Sequence, residues 1–426
     1  MSIKLQPVRG THDILPEESR KRRFIVDTWQ RVAQAYGYGE IQTPMFETSE
    51  VFHRTLGDTS DVVTKETYSF TDRGGESLTL RPEFTAAVVR AFISEGLTQD
   101  LPQKFFYHGP AFRYERPQKG RLRQFHQVGV ELLGAAEPEA DVETIALAAQ
   151  GLRTLGLLKK TTLQINTLGD AESRKNYRGA LVEYFTGHRD ALSEDSRARL
   201  EKNPLRILDS KDPQDKPLVA HAPSLHHFLT ADAAQFYAAV NRGLGSLGIA
   251  VIQNPRLVRG LDYYNHTVFE FVAADGLGAQ NTVLAGGRYD GLVAQMGGPE
   301  IPGVGWAAGI ERMLALMDDA AFPPPASCVA VIPVGETTAD AAWKLAQDLR
   351  EAGIAVDMSY RGNVGKRMKR ADKIGAGYAV MLGEDELKAH AVALKNLATG
   401  EQKIVPQAEL ITLLKMDSRL RGNDKE

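Results

Sequence analysis

From Arg113 to Glu131 the chain reads RYERPQKGRLRQFHQVGVE, crowding Arg113, Arg116, Lys119, Arg121 and Arg123 into one short segment. Arginine is favoured where anionic oxygens are gripped bidentately. Cations on two strands joined by a basic loop suit a polyphosphate. Pro117 and Gly120 break the segment into a turn. Before the turn, Arg113 and Glu115 alternate on one strand face, with Phe112 and Tyr114 on the other. After it runs the strand QFHQVGVEL, whose successive side chains point to opposite faces. His126, Val128, Val130 and Leu132 share a face that is apolar apart from the histidine and can pack on helices. Phe125, Gln127, Gly129 and Glu131 share the other. A glycine weakens a strand unless something must approach the backbone, so this second face suits a floor for a small polar ligand. A solvated basic hairpin beside a half-buried strand is the plainer meaning of each piece taken alone.

Other segments carry groups of the same kind. In LTLRPEFTAAV, a strand that persists puts Arg81, Glu83 and Thr85 on one side, and a carboxylate facing a pocket can hold an ammonium by a charge-assisted hydrogen bond. The commoner case is a surface Arg–Glu pair at a strand end. In NPRLVRGLDYYNHTVFEFV, Arg259 precedes Gly260 at a turn, and Tyr263 and Tyr264 open the next strand. Tyrosines line a pocket for a flat polar ring and still offer hydroxyls. Core packing accounts for one tyrosine of an adjacent pair more easily than for both. VLAGGRYDGL is a strand running into a double glycine. GVGWAAGIERMLALM is a glycine-rich strand that turns into a helix at Gly309, with Arg312 in the first turn. Glycines let a ligand approach the backbone, or simply make a tight strand–helix joint. Neither segment has the Gly-Lys-Ser/Thr of a Walker loop. Near the C-terminus a helix would align Lys366, Lys369, Arg370 and Lys373 on one side, with Arg367 beside them. That is a phosphate-backbone contact or a solvated face.

These groups need elements to hold them. Ile25, Trp29, Val32, Ala33 and Tyr36 fall on one face of a helix from Pro16 to Tyr36 that Gly37 ends. GEIQTPMFE is a short strand interrupted by Pro44, hence an edge, a bend or an interface element. SLTLRPE, KFFYHG, the pair around the basic turn, YYNHTVFEFV and NTVLAGG are further strands, with hairpin-like connections that indicate an antiparallel sheet. From about residue 170 to 249 the texture becomes helical and charge-dense, an insertion within the larger domain. FPPPAS is a linker. Beyond it, strands CVAVIPV, IAVDMSY and YAVMLG alternate with helices, and a hairpin at ATGE and a helix QAELITLLK close a small α/β domain. The expected domains are 1–325, 326–416 and a polar tail, 417–426.

The totals restrict the class. The chain has 426 residues and a formal net charge of −3. That length allows two or three domains with a large core, and the slightly acidic balance gives no global nucleic-acid signal. The single cysteine, Cys328, excludes an internal disulfide and reads as a buried strand residue. MSIKLQPVRGTHD has no apolar signal region and no stretch is long enough for a bilayer, so the expected compartment is the cytoplasm.

In their order, TPMFE, TLRPEFTA, FRYERPQKGRLRQFHQ, LVRGLDYY, AGGRYDGL and GIER resemble a class II histidyl-tRNA synthetase, over nearly the whole chain. FRYERPQKGRLRQFHQ matches the second class II motif, and LVRGLDYY and AGGRYDGL are similar to the two histidine-specific motifs. The resemblance implies an α+β fold: an antiparallel sheet flanked by helices, a helical insertion and a C-terminal α/β anticodon-binding domain. It implies a homodimer with an interface near Pro44. It implies activation of L-histidine by ATP, with Mg2+ on the pyrophosphate portion, and transfer to tRNA(His).

By the same resemblance Arg113 and Arg259 hold the α-phosphate, with Arg259 the distinctive catalytic arginine. Glu115, Arg121 and Arg312 bind ATP, and Phe125 stacks on adenine. Glu83 and Thr85 take the ammonium, and Gln127 orients the amino acid. Glu131, Tyr263 and Tyr264 read the imidazole, and Tyr289 closes the site. Arg116 and Gln118 meet the tRNA acceptor end, and Lys366, Lys369 and Arg370 contact tRNA elsewhere. Phe84 stands where many bacterial members carry glycine. The rivals are a non-enzymatic regulatory paralogue of the fold, a synthetase for another amino acid and a generic nucleic-acid-binding α/β protein. Arg259, Tyr263, Tyr264, Arg312 and the domain after FPPPAS argue against the first, and LVRGLDYY against the second. The third makes the motif set a coincidence.

Overall fold

The structure is a computed structural model that describes residues 5–56, 66–118, 120–210, 212–259, 261, 263–277 and 281–417. Lys119 of the basic loop, Gly260 of the expected turn and the tail from residue 418 on lie outside the described residues. The chain divides into two compact units, residues 1–322 and 323–426.

The first unit opens with the helix Pro16–Ala35. Pro16 stands in its first turn, where a missing N–H costs nothing, and Glu17 and Glu18 complement its positive end. Ile25, Trp29, Val32 and Ala33 are buried, the stripe that the spacing predicts. Two short strands follow, β1 (Gly39–Glu40) and β2 (Phe46–Thr48), separated around Pro44. β3 (Tyr68–Thr71) and β4 (Ser77–Leu80) join β2 in a small antiparallel sheet of order β2-β4-β3.

The large sheet is built from β1 with β5 (Gln103–Phe112), β6 (Gln124–Leu133), β7 (Thr161–Thr167), β8 (Ile252–Gln253), β9 (Asn265–Ala273), β10 (Thr282–Arg288) and β11 (Gly303–Gly309). Its order is β1-β5-β6-β11-β10-β9-β7-β8. Only the edge pairs β1–β5 and β7–β8 are parallel. Val128, Val130 and Leu132 of β6 enter the main core with Trp29, Trp306, Phe269 and Phe271. The opposite face of the same strands is left for chemistry.

Two strands stop earlier than their sequences suggest. β4 ends at Leu80, because Pro82 has no N–H to extend a ladder. The expected strand side of Arg81, Glu83 and Thr85 is therefore absent, and Thr85 opens the helix Thr85–Ser94. β5 ends at Phe112. The Glu115 N–H donates to the Arg113 carbonyl at 2.8 Å, a tight turn that bends the chain out of the ladder. β7, TTLQINT, was not among the expected strands. Its buried positions are polar as often as apolar, so no hydrophobic alternation announced it.

The helical region holds helices Ala171–Gly187, Glu194–Lys202, Lys216–His221 and Ala231–Ser246. The first three share a small core of their own around Tyr177, Leu181, Phe185 and Leu225. The last sends Tyr237, Val240 and Leu244 into the main core.

In the second unit β12 (Val329–Pro333), β13 (Val356–Met358), β14 (Tyr378–Leu382), β15 (Ala391–Asn396) and β16 (Gln402–Pro406) form a sheet of order β13-β12-β14-β15-β16. The first three are parallel and the hairpin closing at ATGE is antiparallel. Helices Ala339–Glu351, Val364–Lys373 and Gln407–Met416 are the expected ones, and a short helix Glu384–Lys388 was not foreseen. Cys328 lies one residue before β12 and is half-buried, not a buried strand residue as the sequence suggested. Among the described residues no helix is long and apolar enough to cross a membrane.

Candidate active site

The polar face of β6 and its neighbours floors a cavity of about 460 Å3, lined among others by Arg113, Phe125, Gln127, Arg259, Tyr264 and Arg312. Its size is that of small-molecule and cofactor sites. Pairing fixes what lies opposite what. In β6, Gln127 faces Gly309 of β11 and Glu131 faces Gly305, while Gly129 faces Tyr107 of β5. A Cβ at Gly305 would overlap the Glu131 carboxylate, and one at Gly129 the Tyr107 hydroxyl. These glycines make room for polar side chains under the floor.

Glu131 is 1% exposed and stands behind the cavity wall rather than on it. Its carboxylate accepts from the Thr85 hydroxyl at 2.7 Å, the Tyr107 hydroxyl at 3.2 Å and the Tyr289 hydroxyl. Burial pushes its pKa up to about 8, against the pull of those hydroxyls. A folded-state value above the unfolded one favours the fold in the protonated form. That contribution is complete below the ordinary glutamate range and is lost as pH rises through about 8. Glu131→Gln, neutral throughout, is therefore expected to lose less stability than the native chain between about pH 6 and pH 9, measured by denaturant unfolding without ligand. Identical pH dependence in the two proteins would show that Glu131 does not titrate in this range.

Glu83 works at the start of helix Thr85–Ser94. Its carboxylate accepts the backbone N–H of Thr85 at 2.6 Å and of Ala86 at 2.9 Å, and burial raises its pKa despite them. Glu83 and Thr85 both line the cavity. Arg81 is not a surface partner of Glu83. It is 4% exposed, donates to the carbonyls of Thr43 and Pro110 at 2.8 Å each, and lies 3.9 Å over the Phe84 ring. Phe84 in turn stacks on Tyr107, 4.5 Å between centroids and 7° from parallel. The departure from glycine at position 84 thus fills a stack that buttresses one of the Glu131 donors.

The cations come from four separate elements. Arg113, just past β5, donates to the Pro82 carbonyl at 2.9 Å, and its guanidinium lies 5.3 Å from the Phe125 ring. Arg121, on the return of the basic turn, pairs with Glu115 and lies 3.5 Å from Glu66. Arg312 sits in the first turn of helix Ile310–Leu316 and donates to the Thr282 carbonyl. Arg259 pairs with Glu270 of β9 and lies 5.5 Å from the Tyr264 ring. Burial pulls the pKa of Arg113, Arg121 and Arg312 below the arginine range, and Arg113 repels both of the others. Burial opposes charge on Arg259 too, but Glu270 more than offsets it. Arginine does not deprotonate, so this crowding is relieved by a bound anion. The buried Arg259 Nε and Gln127 Oε1 have no hydrogen-bond partner among the described residues. Both residues line the cavity, and buried polar atoms of this kind await a partner.

Tyr263 and Tyr264 are both buried in one apolar cluster, rings 4.6 Å apart, and both also line the cavity. Core packing and pocket lining are thus met by the same pair. Burial raises the pKa of both, so their hydroxyls keep their protons. Tyr289 does not line the cavity. It stands edge-on to Tyr263 at 5.7 Å and secures Glu131 from behind.

Arg116 and Gln118 are exposed and do not line the cavity. The turn that carries them is closed by paired backbone bonds of 2.9 and 3.0 Å between Gln118 and Arg121. In the second unit Lys366, Lys369 and Arg370 are exposed on helix Val364–Lys373, and Arg370 pairs with Asp357 at 2.8 Å. Among the described residues no group of three or more His, Cys, Asp or Glu side chains is placed to hold a metal ion.

Sequence reasoning missed Tyr107, Glu270 and the fully buried pair of Arg288 with Asp141. Tyr107 had a signal, because the pairing of β5 and β6 sets it against the conspicuous Gly129. Glu270 and Asp141 had none, since their partners are far away in sequence.

An antiparallel sheet whose floor carries arginines from the second-motif hairpin and from a glycine-to-helix joint, followed by a separate mixed α/β domain, is the architecture of a class II aminoacyl-tRNA synthetase. The family model described as histidyl-tRNA synthetase matches residues 10–313, and that described as anticodon binding domain matches residues 328–416. The histidine–tRNA ligase of Rhodospirillum rubrum is 59% identical over 408 residues, covering 95% of this chain and 97% of the relative. That of Gluconacetobacter diazotrophicus is 58% identical over 398 residues, covering 93% and 95%. The apo S. aureus histidyl-tRNA synthetase superposes with a TM-score of 0.82 at 35% identity, covering 96% of this chain and 99% of that one. The chain belongs to the histidyl-tRNA synthetase family.

Proposed function

We propose that this chain is a histidine–tRNA ligase: it joins L-histidine to ATP, releasing pyrophosphate, and then passes histidine from the adenylate to the 3′ end of tRNA(His). The observation that carries this reading is the cavity itself. Buried arginines, an aromatic ring and two unpartnered polar atoms surround a space backed by a buried carboxylate. A carboxylate oxygen of histidine attacks the α-phosphorus, and the bond to pyrophosphate breaks. Negative charge grows on the phosphoryl oxygens, and Arg113 and Arg259 stabilise it from fixed positions. Arg121, Arg312 and Glu115 hold the nucleotide, whose adenine stacks on Phe125 beneath the Arg113 guanidinium.

Glu83 and Thr85 take the ammonium, and Gln127 uses its free amide oxygen to orient the amino acid. As the Thr85 hydroxyl turns to the substrate, Glu131 accepts the imidazole N–H. Tyr263 and Tyr264 flank the ring, and Tyr289 keeps the carboxylate in place. A site of buried polar pairs rejects analogues because they leave those groups unpaired. Mg2+ enters on the phosphates, which suits a site with scattered carboxylates and no all-protein cage. Glu115 and Glu270 line the same cavity and supply oxygens to it. The ion neutralises charge on the departing pyrophosphate.

Arg116 and Gln118 project into solvent, where they meet the tRNA acceptor end, and Lys366, Lys369 and Arg370 contact tRNA from the second unit. A homodimer accounts for the exposed Met45, Phe46 and Phe70 on and beside the small sheet β2-β4-β3. The reaction draws on the cytoplasmic pools of ATP and tRNA. Charging assays with purified tRNA species test the whole reading. Histidine attached to tRNA(His) alone supports it, and failure to charge that tRNA with active adenylate present contradicts the transfer step.

A further inference from the structure

We propose that Tyr360 and Trp343 form a stacking platform for unpaired bases of tRNA, with Lys366 and Lys369 beside them for the phosphates. This rests on the tRNA-charging reading above. Tyr360 is 86% exposed and Trp343 46% exposed. Their rings lie 6.5 Å apart and 28° from parallel. Neither is needed by the core. Helix Ala339–Glu351 buries Ala342, Leu345, Ala346 and Leu349, and Trp343 stands off that stripe. Tyr360 lies two residues past β13, at the carboxyl end of the parallel strands. Open α/β sheets present their ligand-binding loops at that end. A large aromatic pair exposed in this place has a solvation cost and no packing return.

The charge beside it is available. The chain leaves Tyr360 through Gly362, with φ +105°, into helix Val364–Lys373, which Asn363 caps by accepting the Lys366 N–H at 3.0 Å. Among the described residues Arg370 pairs with Asp357, while no acidic side chain lies in ion-pair range of Lys366 or Lys369. Phosphates alone need cations and no rings, and a duplex keeps its bases stacked on each other. Rings together with free cations match a single-stranded segment, whose unstacked bases lie on aromatic side chains while the backbone follows positive charge. In a domain matched by the anticodon-binding family, the anticodon loop is the single-stranded part that fits.

The test uses the full chain and compares Tyr360→Ala, Trp343→Ala and Tyr360→Phe in histidylation of tRNA(His). Each alanine variant is expected to raise KM for tRNA by roughly tenfold with kcat held, the size of losing one stacked base. Tyr360→Phe is expected to restore the native KM, because the ring and not the hydroxyl makes the contact. Native melting temperatures keep misfolding out of the comparison, which exposure at these sites favours. Unchanged KM in both alanine variants, or a phenylalanine variant as weak as alanine, overturns the platform. Histidine-dependent ATP–pyrophosphate exchange by the native chain needs no tRNA. Its absence overturns the functional reading instead, so the two failures are distinguishable.

Discussion

Arg259→Ala is expected to slow histidyl-adenylate formation by about 10²- to 10³-fold, roughly 3 to 4 kcal/mol of transition-state stabilisation, the range seen when one preorganised oxyanion donor is removed. Arg259 is poised for that role. Its guanidinium is held by Glu270 and the Tyr264 ring, and its Nε is buried without a partner. Arg259→Lys keeps a charge but loses the planar fork, so it is expected to recover little. Rapid-quench measurement of adenylate with saturating ATP and histidine separates this loss from weakened binding. A near-native rate in the alanine variant would take the catalytic role away from Arg259.

Arg288→Ala is expected to cost about 3–5 kcal/mol of folding stability, the penalty for breaking a buried ion pair from one side. Arg288 and Asp141 are both fully buried. Arg288 also donates to the carbonyls of Ala135 at 3.0 Å and Glu137 at 3.1 Å, and to Asp290 at 3.0 Å. It therefore ties β10 to the start of helix Pro138–Thr154. Alanine leaves the Asp141 carboxylate buried with no cation. Denaturant unfolding reads the effect directly. Removing both partners, as Arg288→Met with Asp141→Leu, is expected to recover most of the loss, since an apolar pair carries no desolvation penalty. A single-variant loss under about 1 kcal/mol would mean that the pair is not a structural lock. Because Tyr289 follows Arg288 and secures Glu131, histidine affinity is expected to fall in the single variant as well.

The elements of this fold were legible wherever one face was apolar. The helix Pro16–Ala35, strand β6 with its two unlike faces, and the alternation beyond FPPPAS follow from periodicity alone. β7 escaped because its buried residues are largely polar. The ends of β4 and β5 escaped because a proline and a tight turn, rather than hydrophobicity, set them. Within the site, the types of the arginines, tyrosines and carboxylates were legible, and their layering was not. Alternation puts Glu131 on the ligand face, but only the fold shows that Thr85, Tyr107 and Tyr289 close around it and set it behind the wall. Tyr289 looks from its motif like a closing residue and proves to be a supporting one. Partners such as Glu270 for Arg259 are contacts between strands, and local sequence holds no record of them.

The most direct test of the central claim is ATP–pyrophosphate exchange by the purified chain with Mg2+, offered each standard amino acid in turn. Exchange with histidine alone is the predicted result, because the buried carboxylate and tyrosines admit an imidazole and leave other side chains unpaired. Exchange with a different amino acid would contradict the specificity assigned to Glu131, Tyr263 and Tyr264. A folded protein that supports exchange with none would contradict the assignment of the arginine-lined cavity to amino-acid activation.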